Sequence, residues 1–476
     1  MKKFLLVLLI IFTIKGQIYC LSDLYVINSE NFEVYIKKSL LSEKDYIMNT
    51  LEKELKYISE KFCFKNNSPI KVFIEDSVNT GGANADPLRS DIRVNYFFDY
   101  GAFLKFNEVI RHELTHVVQF HKIGDGSGGI KYLLRLGEIP LWFYEGYAES
   151  FSRDYNPYWD VYSYLYPLYT PVELQTFYYR DNYNRVGGYF ASFEIIEYLK
   201  NLYGEEYIAL FLCGKGLKDN FKSSIRKKFG IISDIISESR SFLKNRTIVK
   251  YPNSYFVFKE SEHNLSQPNF TLHGLYYIST DKDNRSVLKF NDKIILENIH
   301  SYSIYKENEI IASIHSQGRF KIVIVKQGQI YKTDFLGIYP FKSEDYISFM
   351  DNRGYVNVYK ENKLVFKNKG QTGRIKDKIL YYIDMDDYLC FYYFSGDFNR
   401  KVLKLKDFYA EISFFNDFPV ISEYIDGEFT SFLIKDDKRK KLFNAFATNI
   451  SFFDNAVYFS GINNQKRVIF KKELPK

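Results

Sequence analysis

The stretch Arg111-His112-Glu113-Leu114-Thr115-His116-Val117-Val118-Gln119 decides how the first half of the chain folds. Two histidines stand four apart, with a glutamate next to the first. On an α-helix, residues four apart lie one above the other. His112 and His116 can therefore present two imidazoles to one metal ion, and Glu113 is placed to hold a water beside it. Val109, Ile110, Leu114, Val117 and Val118 supply an apolar side, which predicts a buried helix over about 104–121. With only 7 histidines in the chain, this spacing rarely arises by accident.

A zinc ion that keeps one position open needs a third protein ligand. His121, five residues past His116, points about 140° away on a helix and is a poor choice. The stretch Pro140-Leu141-Trp142-Phe143-Tyr144-Glu145-Gly146-Tyr147-Ala148-Glu149 offers a better one. Glu145 and Glu149 share a helix face. Two stacked carboxylates repel unless something lies between them. A metal on Glu145, with the free ring N–H of a ligating histidine on Glu149, resolves that repulsion. Trp142, Phe143 and Tyr147 argue against a solvated helix, and Gly146 predicts a close approach of the two metal-bearing helices.

These two stretches resemble the gluzincin clan of zinc metallopeptidases, and the second is similar to a bacterial peptidase MA-like branch that can carry a C-terminal β-propeller. The likeness covers about residues 65–245 and implies a zincin-like α+β catalytic domain. It implies zinc on His112, His116 and Glu145, Glu113 as general base, and Glu149 supporting a ligand histidine. Related enzymes use a downstream Tyr or His to stabilise the oxyanion. Tyr189, in Gly187-Gly188-Tyr189-Phe190-Ala191-Ser192-Phe193, is the expected donor here, with Tyr183 and Arg185 behind it. Asn84-Ala85-Asp86-Pro87 and a strand over 91–98 are similar to the segment preceding the zinc helix, whose edge can pair with an extended peptide. Gly124 to Gly129 looks like an insertion between the two metal stretches.

Around this centre the chain mixes helices with a few strands. Ile47, Leu51, Leu55, Ile58 and Phe62 form one helical stripe, with Ser42 as its expected N-cap. Pro69–Glu75 reads as a buried strand. Further helices are expected near 141–154, 189–201, 204–213, 217–227 and 231–243. Arg111 either pairs with a structural carboxylate or faces solvent.

Beyond about residue 250 the pattern changes to strand after strand. Aromatic or aliphatic cores begin at Leu275, Ile310, Tyr346, Ile379, Val420 and Val457. Many follow a polar turn such as Phe453-Asp454-Asn455. A repeat of about 35–40 residues with no convincing helix suggests six small sheets that cannot bury their faces alone, as in a six-bladed β-propeller. A β-sandwich or irregular all-β domain is the rival. Tyr255–Phe258 is expected to complete the last sheet. Asp384, Asp386 and Asp387 read as solvated turn acids rather than a calcium loop.

Composition bounds the rest. The chain of 476 residues is long enough for several domains, and 46% hydrophobic content excludes a mostly disordered chain. The balance of 65 basic to 58 acidic residues, without a long basic run, argues against a nucleic-acid partner. Met1-Lys2-Lys3 followed by apolar residues to Ile14 has the form of an export signal, too short to span a bilayer. No membrane span is expected once it is removed. Cys63, Cys213 and Cys390 are far apart and are expected as buried thiols.

The expected organisation is a signal peptide at 1–20, a zincin-like metallopeptidase domain at 21–245 and a β-propeller at 246–476. The expected activity is zinc-dependent hydrolysis of peptide or protein substrates, outside the cytoplasm, with room for a protein partner on the propeller. The alternative is a non-catalytic zinc-binding protein using the propeller as a protein- or glycan-binding platform.

Overall fold

The computed structural model describes residues 24–474, apart from 77–81, 88, 97–105, 125–138, 154–156, 164, 167, 180–181, 214–225, 247–250, 252–253, 282–284, 307–308, 317–318, 407–411, 426–427 and 464–465. The export segment, most of the loop 124–129 and most of the helix expected at 217–227 lie outside the described residues. An N-terminal mixed α/β domain precedes a large all-β domain.

The first domain is built on a five-stranded sheet of order β1-β2-β3-β5-β4, with β1 Leu24–Asn28, β2 Phe32–Lys37, β3 Ile70–Glu75, β4 Ala83–Ala85 and β5 Ile92–Asn95. Strands β2, β3 and β5 run parallel, and the outer strands β1 and β4 are antiparallel to their neighbours. Among the described residues the sheet edge near the histidine-bearing helix is therefore β4, not the strand at 91–98. Strand β5 is paired on both sides, because Ala83–Ala85 folds back onto Ile92–Val94.

Helix α1, Lys44–Phe62, crosses between β2 and β3. Its expected stripe is wholly buried, from Ile47 through Phe62. Each such side chain contributes about 1.5–3 kcal/mol of burial. The N-terminus differs from expectation. A 3-10 turn, Lys38–Glu43, leads into the helix, so Glu43 is the cap residue, and Ser42 turns its hydroxyl toward Glu43 instead. At the other end Cys63 takes a left-handed φ of 48° and is exposed, correcting the expectation of a buried thiol. Cys390 is buried as expected.

Helix α2, Phe106–Gly124, carries the two histidines, and α3, Leu141–Ser152, carries the two glutamates. Then follow α4 Pro157–Ser163, α5 Glu173–Thr176 with a 3-10 turn at Phe177–Tyr179, α6 Asn182–Tyr203, α7 Glu205–Cys213 and α8 Ile232–Arg246. One core joins the sheet, α1, α2, α3 and α6. Arg111 resolves its two readings by pairing with buried Glu54 at 2.6 Å. Among the described residues no helix is long and apolar enough to cross a membrane.

The all-β domain consists of antiparallel sheets taken in chain order. Strands 264–297 and 299–336 form four-stranded sheets. Strands 338–404 form seven strands, because the long strand Lys363–Lys376 pairs with 355–360 through its first half and with 379–384 through its second. Strands 413–444 form a further four-stranded sheet. In the last, strands 448–473 take their outer strand from Tyr255–Lys259, as expected, so the two ends of the domain are stitched together. All six repeat cores fall on the second strand of a four-strand set. The polar turns have a physical role. Asn291-Asp292, Glu361-Asn362, Asn416-Asp417, Asp436-Asp437 and Asp454-Asn455 are pairs with both φ values positive. That geometry matches strand twist in two-residue hairpins and is easiest for Asn and Asp.

The domains touch through polar and apolar contacts. Glu43 accepts hydrogen bonds from Tyr355 at 2.9 Å and from Lys369. Asp76 accepts from Arg353 at 3.2 Å. Val161 and Leu165 pack with Phe446 and Ile462.

Candidate metal centre

Helix α2 is pinned by its apolar side, with Ile110, Leu114, Val117 and Val118 all buried. This turns His112 and His116 toward α3. Helix α3 is held from behind: the Tyr147 hydroxyl donates to the Ile208 and Ala209 carbonyls of α7. Gly146 does permit a close helix approach, but to α6 rather than to the histidine-bearing α2. A Cβ there would lie 2.2 Å from the Ser192 carbonyl oxygen. With α3 so seated, Glu145 and Glu149 face α2.

Three ligand atoms converge. His112 Nε2 and His116 Nε2 are 3.0 Å apart, and Glu145 Oε2 is 3.4 and 3.5 Å from them. Donors about 2.0–2.1 Å from a tetrahedral ion stand about 3.3 Å from one another. The triad His112, His116 and Glu145 thus has the chemistry and the spacing to coordinate a metal ion.

Each ligand is backed by another residue. Gln119 donates its amide Nε2–H to the Tyr144 carbonyl at 3.2 Å, so its Oε1 faces His116 Nδ1 at 2.8 Å. That oxygen can only accept, which puts the His116 proton on Nδ1 and frees Nε2 for a metal. Glu149 Oε1 lies 3.5 Å from His112 Nδ1. Its other oxygen is held by Arg153 at 2.7 Å, and Arg153 also reaches Glu108 at 3.1 Å. Gln119 and Arg153 went unread in the sequence. Their signal was helical spacing, three residues after His116 and four after Glu149.

Glu113 is buried beside the triad, and its Oε2 has no hydrogen-bond partner among the described residues. Burial raises its pKa above the ordinary 4.5, against the pull of His112 and His116. For His116, burial disfavours the imidazolium, but the Glu145 carboxylate outweighs it and lifts the ring to about 9. Burial would likewise raise Glu145, yet the two imidazoles bring it down to about 2.

The phenols differ from expectation. Tyr178, on the 3-10 turn after α5, donates directly to Glu145 Oε1, and nothing in the sequence singled it out. Tyr189 lies one layer behind, with ring centres 5.9 Å from Tyr178 and 5.2 Å from Phe177. Its pKa is raised by burial first and then by the charges of Glu145, Glu149 and Glu113. Arg185 is exposed, and the Tyr183 side chain lies outside the described residues. His121 turns away to Phe64, as its spacing requires. At the distant Asp384–Asp386 turn, Lys401 bridges both carboxylates at 2.8 Å, so the cation there is a lysine.

No protein-family model matches the chain, and no curated protein does. Among solved structures, the computationally designed Ika8 protein matches at 13% identity and a TM-score of 0.30, over 43% of this chain and 70% of that one. BamB from Moraxella catarrhalis matches at 6% identity and a TM-score of 0.30, over 43% and 71%.

Proposed function

We propose that the chain is a zinc-dependent peptidase of the gluzincin type, with a catalytic domain at 21–245 and a six-bladed β-propeller at 246–476, exported by a cleavable signal at 1–20. The observation that carries the activity is the near-equal spacing of the three donor atoms, with Glu113 buried beside them and its Oε2 without a hydrogen-bond partner among the described residues. A structural site has no need of such a base. Six four-strand sets and a last sheet closed by residues 255–259 support the propeller.

Bound zinc would supply Lewis acidity, polarising the scissile carbonyl and making a water acidic near neutral pH. The chain's own residues do the rest. Glu113, its affinity for protons increased by burial, takes the proton from water and delivers it to the leaving amine nitrogen. Gln119 holds His116 in the ligating tautomer, and Glu149, clamped by Arg153, orients His112. The Tyr178 hydroxyl, now on Glu145, is within reach of a developing oxyanion, with Tyr189 packed behind it as support or second donor. The edge position of β4 among the described residues supports pairing with an extended peptide or protein substrate, and the propeller surface is open to a protein partner.

The test is elemental analysis of the purified chain together with hydrolysis of a quenched-fluorescent peptide library. About one zinc per chain and measurable turnover are expected. Glu113→Gln should keep the metal and lose turnover by on the order of 10³. Unchanged turnover would reject Glu113 as base. Zinc without turnover on any peptide would favour the non-catalytic zinc-binding platform.

A further inference from the structure

Helix α4 stands between the all-β domain and the candidate metal centre. On its outer side Val161 and Leu165 are buried against Phe446 and Ile462 of the all-β domain, and Tyr166 packs on the same cluster. On its inner side two contacts run toward the centre. The Arg153 guanidinium lies 3.8 Å over the Trp159 ring, and Arg153 holds Glu149, whose other oxygen faces His112. The Tyr166 ring stacks on Phe190, the neighbour of Tyr189 in α6, at 5.2 Å and 22°. Gly187 lets that ring come close, because a Cβ there would lie 2.7 Å from it. Trp159 meets the same Phe190 at 4.4 Å.

The end of α4 is tied down as well. Arg240 of α8 donates to the Ser163 carbonyl at 3.1 Å and to the Tyr166 carbonyl, and it pairs with Glu194 of α6 at 2.8 Å. A helix end leaves such carbonyls without partners of its own. A helix of 7 residues is too short to be stable by itself, so what it packs on sets its place.

We propose that the all-β domain is a positioning element of the metal centre. Phe446 and Ile462 seat α4, and α4 passes that seat to two places. Trp159 fixes the Arg153–Glu149 clamp behind His112, and Tyr166 fixes the α6 wall that bears Tyr189. Close packing transmits the seat, because a filled core cannot shift without opening a void. Trp159 and Tyr166 are thus positioning residues. The effect on turnover rests on the peptidase reading, whereas the effect on zinc affinity rests on the metal site alone.

Phe446→Ala and Ile462→Ala, made in the full chain, test it. Leu288→Ala is the control, since Leu288 is equally buried but belongs to a separate core within residues 276–325. Labelling with 5-fluorotryptophan gives two fluorine signals, from Trp142 and Trp159. The two seat variants should shift the Trp159 signal and leave that of Trp142 in place. They should weaken zinc about threefold to tenfold in competition with a chelator. They should also lower kcat on a peptide about tenfold with little change in KM. Leu288→Ala should do none of these. Unchanged zinc affinity and kcat in both seat variants, or equal losses in Leu288→Ala, would overturn the proposal. If the wild type binds zinc but cleaves no peptide, the peptidase reading fails, and zinc affinity with the Trp159 signal still decides this one. Should either truncation not fold, Ile462→Val, one methylene smaller, carries the same comparisons.

Discussion

Gln119 Oε1 accepts the Nδ1–H of His116 at 2.8 Å, and the same amide anchors to the Tyr144 carbonyl of the neighbouring helix. One side chain thus sets a histidine's tautomer and ties it to the helix that brings Glu145. The link predicts a metal effect without a fold effect. Gln119→Leu should weaken zinc about 10–100-fold in competition with a chelator. An unchanged affinity would mean that the ring is oriented by something else.

Glu145 is the sole carboxylate among the three converging ligands. Glu145→Ala should strip most of the zinc from the purified chain by elemental analysis. Glu149→Gln should retain most of it, since Glu149 contacts the far nitrogen of His112. Full occupancy in Glu145→Ala would require a different third ligand.

The two phenols make separable predictions. Tyr178→Phe should lower kcat about 10²-fold or more with little change in KM, as for loss of one transition-state donor. Tyr189→Phe, one layer back, should cost less. The opposite order would return the donor role to Tyr189.

Gly146→Ala should destabilise the first domain through steric conflict alone. The added methyl would meet the Ser192 carbonyl oxygen at 2.2 Å, and backbone cannot rotate away. A loss of about 1–3 kcal/mol or more is expected in denaturant unfolding, with reduced zinc retention. No change would mean that α3 and α6 slide apart freely.

The domain contact carries a pH signature. Burial alone would raise the Glu43 pKa above 4.5, but hydrogen bonds from Lys369 and Tyr355 outweigh it and the net shift is downward. A lowered carboxyl pKa stabilises the docked state fully above about pH 4.5, and the gain is lost as pH falls through the lowered value. Glu43→Gln should cost about 1–3 kcal/mol at neutral pH and flatten that acid limb. A mutant with the same acid profile as wild type would place the titration elsewhere.

Much of the candidate metal centre was legible because it is local. His112, Glu113 and His116 lie within two turns of one helix, and Glu145 and Glu149 within two turns of another. The six repeat cores were legible for the same reason, as runs of strand-forming residues after turn residues. The Ser42 cap failed because a 3-10 turn took up the helix start. Cys63 failed because a left-handed cap position turned it outward.

By itself, then, the sequence determined which helix faces carry the candidate metal ligands and where the second strand of each sheet begins. Helical and strand periods are properties of the backbone, and they act over a few residues. Which elements lie against one another was decided only by tertiary packing. Tyr178 meets Glu145 across 33 positions, Gly146 turns to α6 rather than α2, and β4 takes the sheet edge from β5. With 42 tyrosines and 44 phenylalanines, many aromatic surfaces could have covered the same core. Only the folded chain, in which close packing admits one set of neighbours, selects among them.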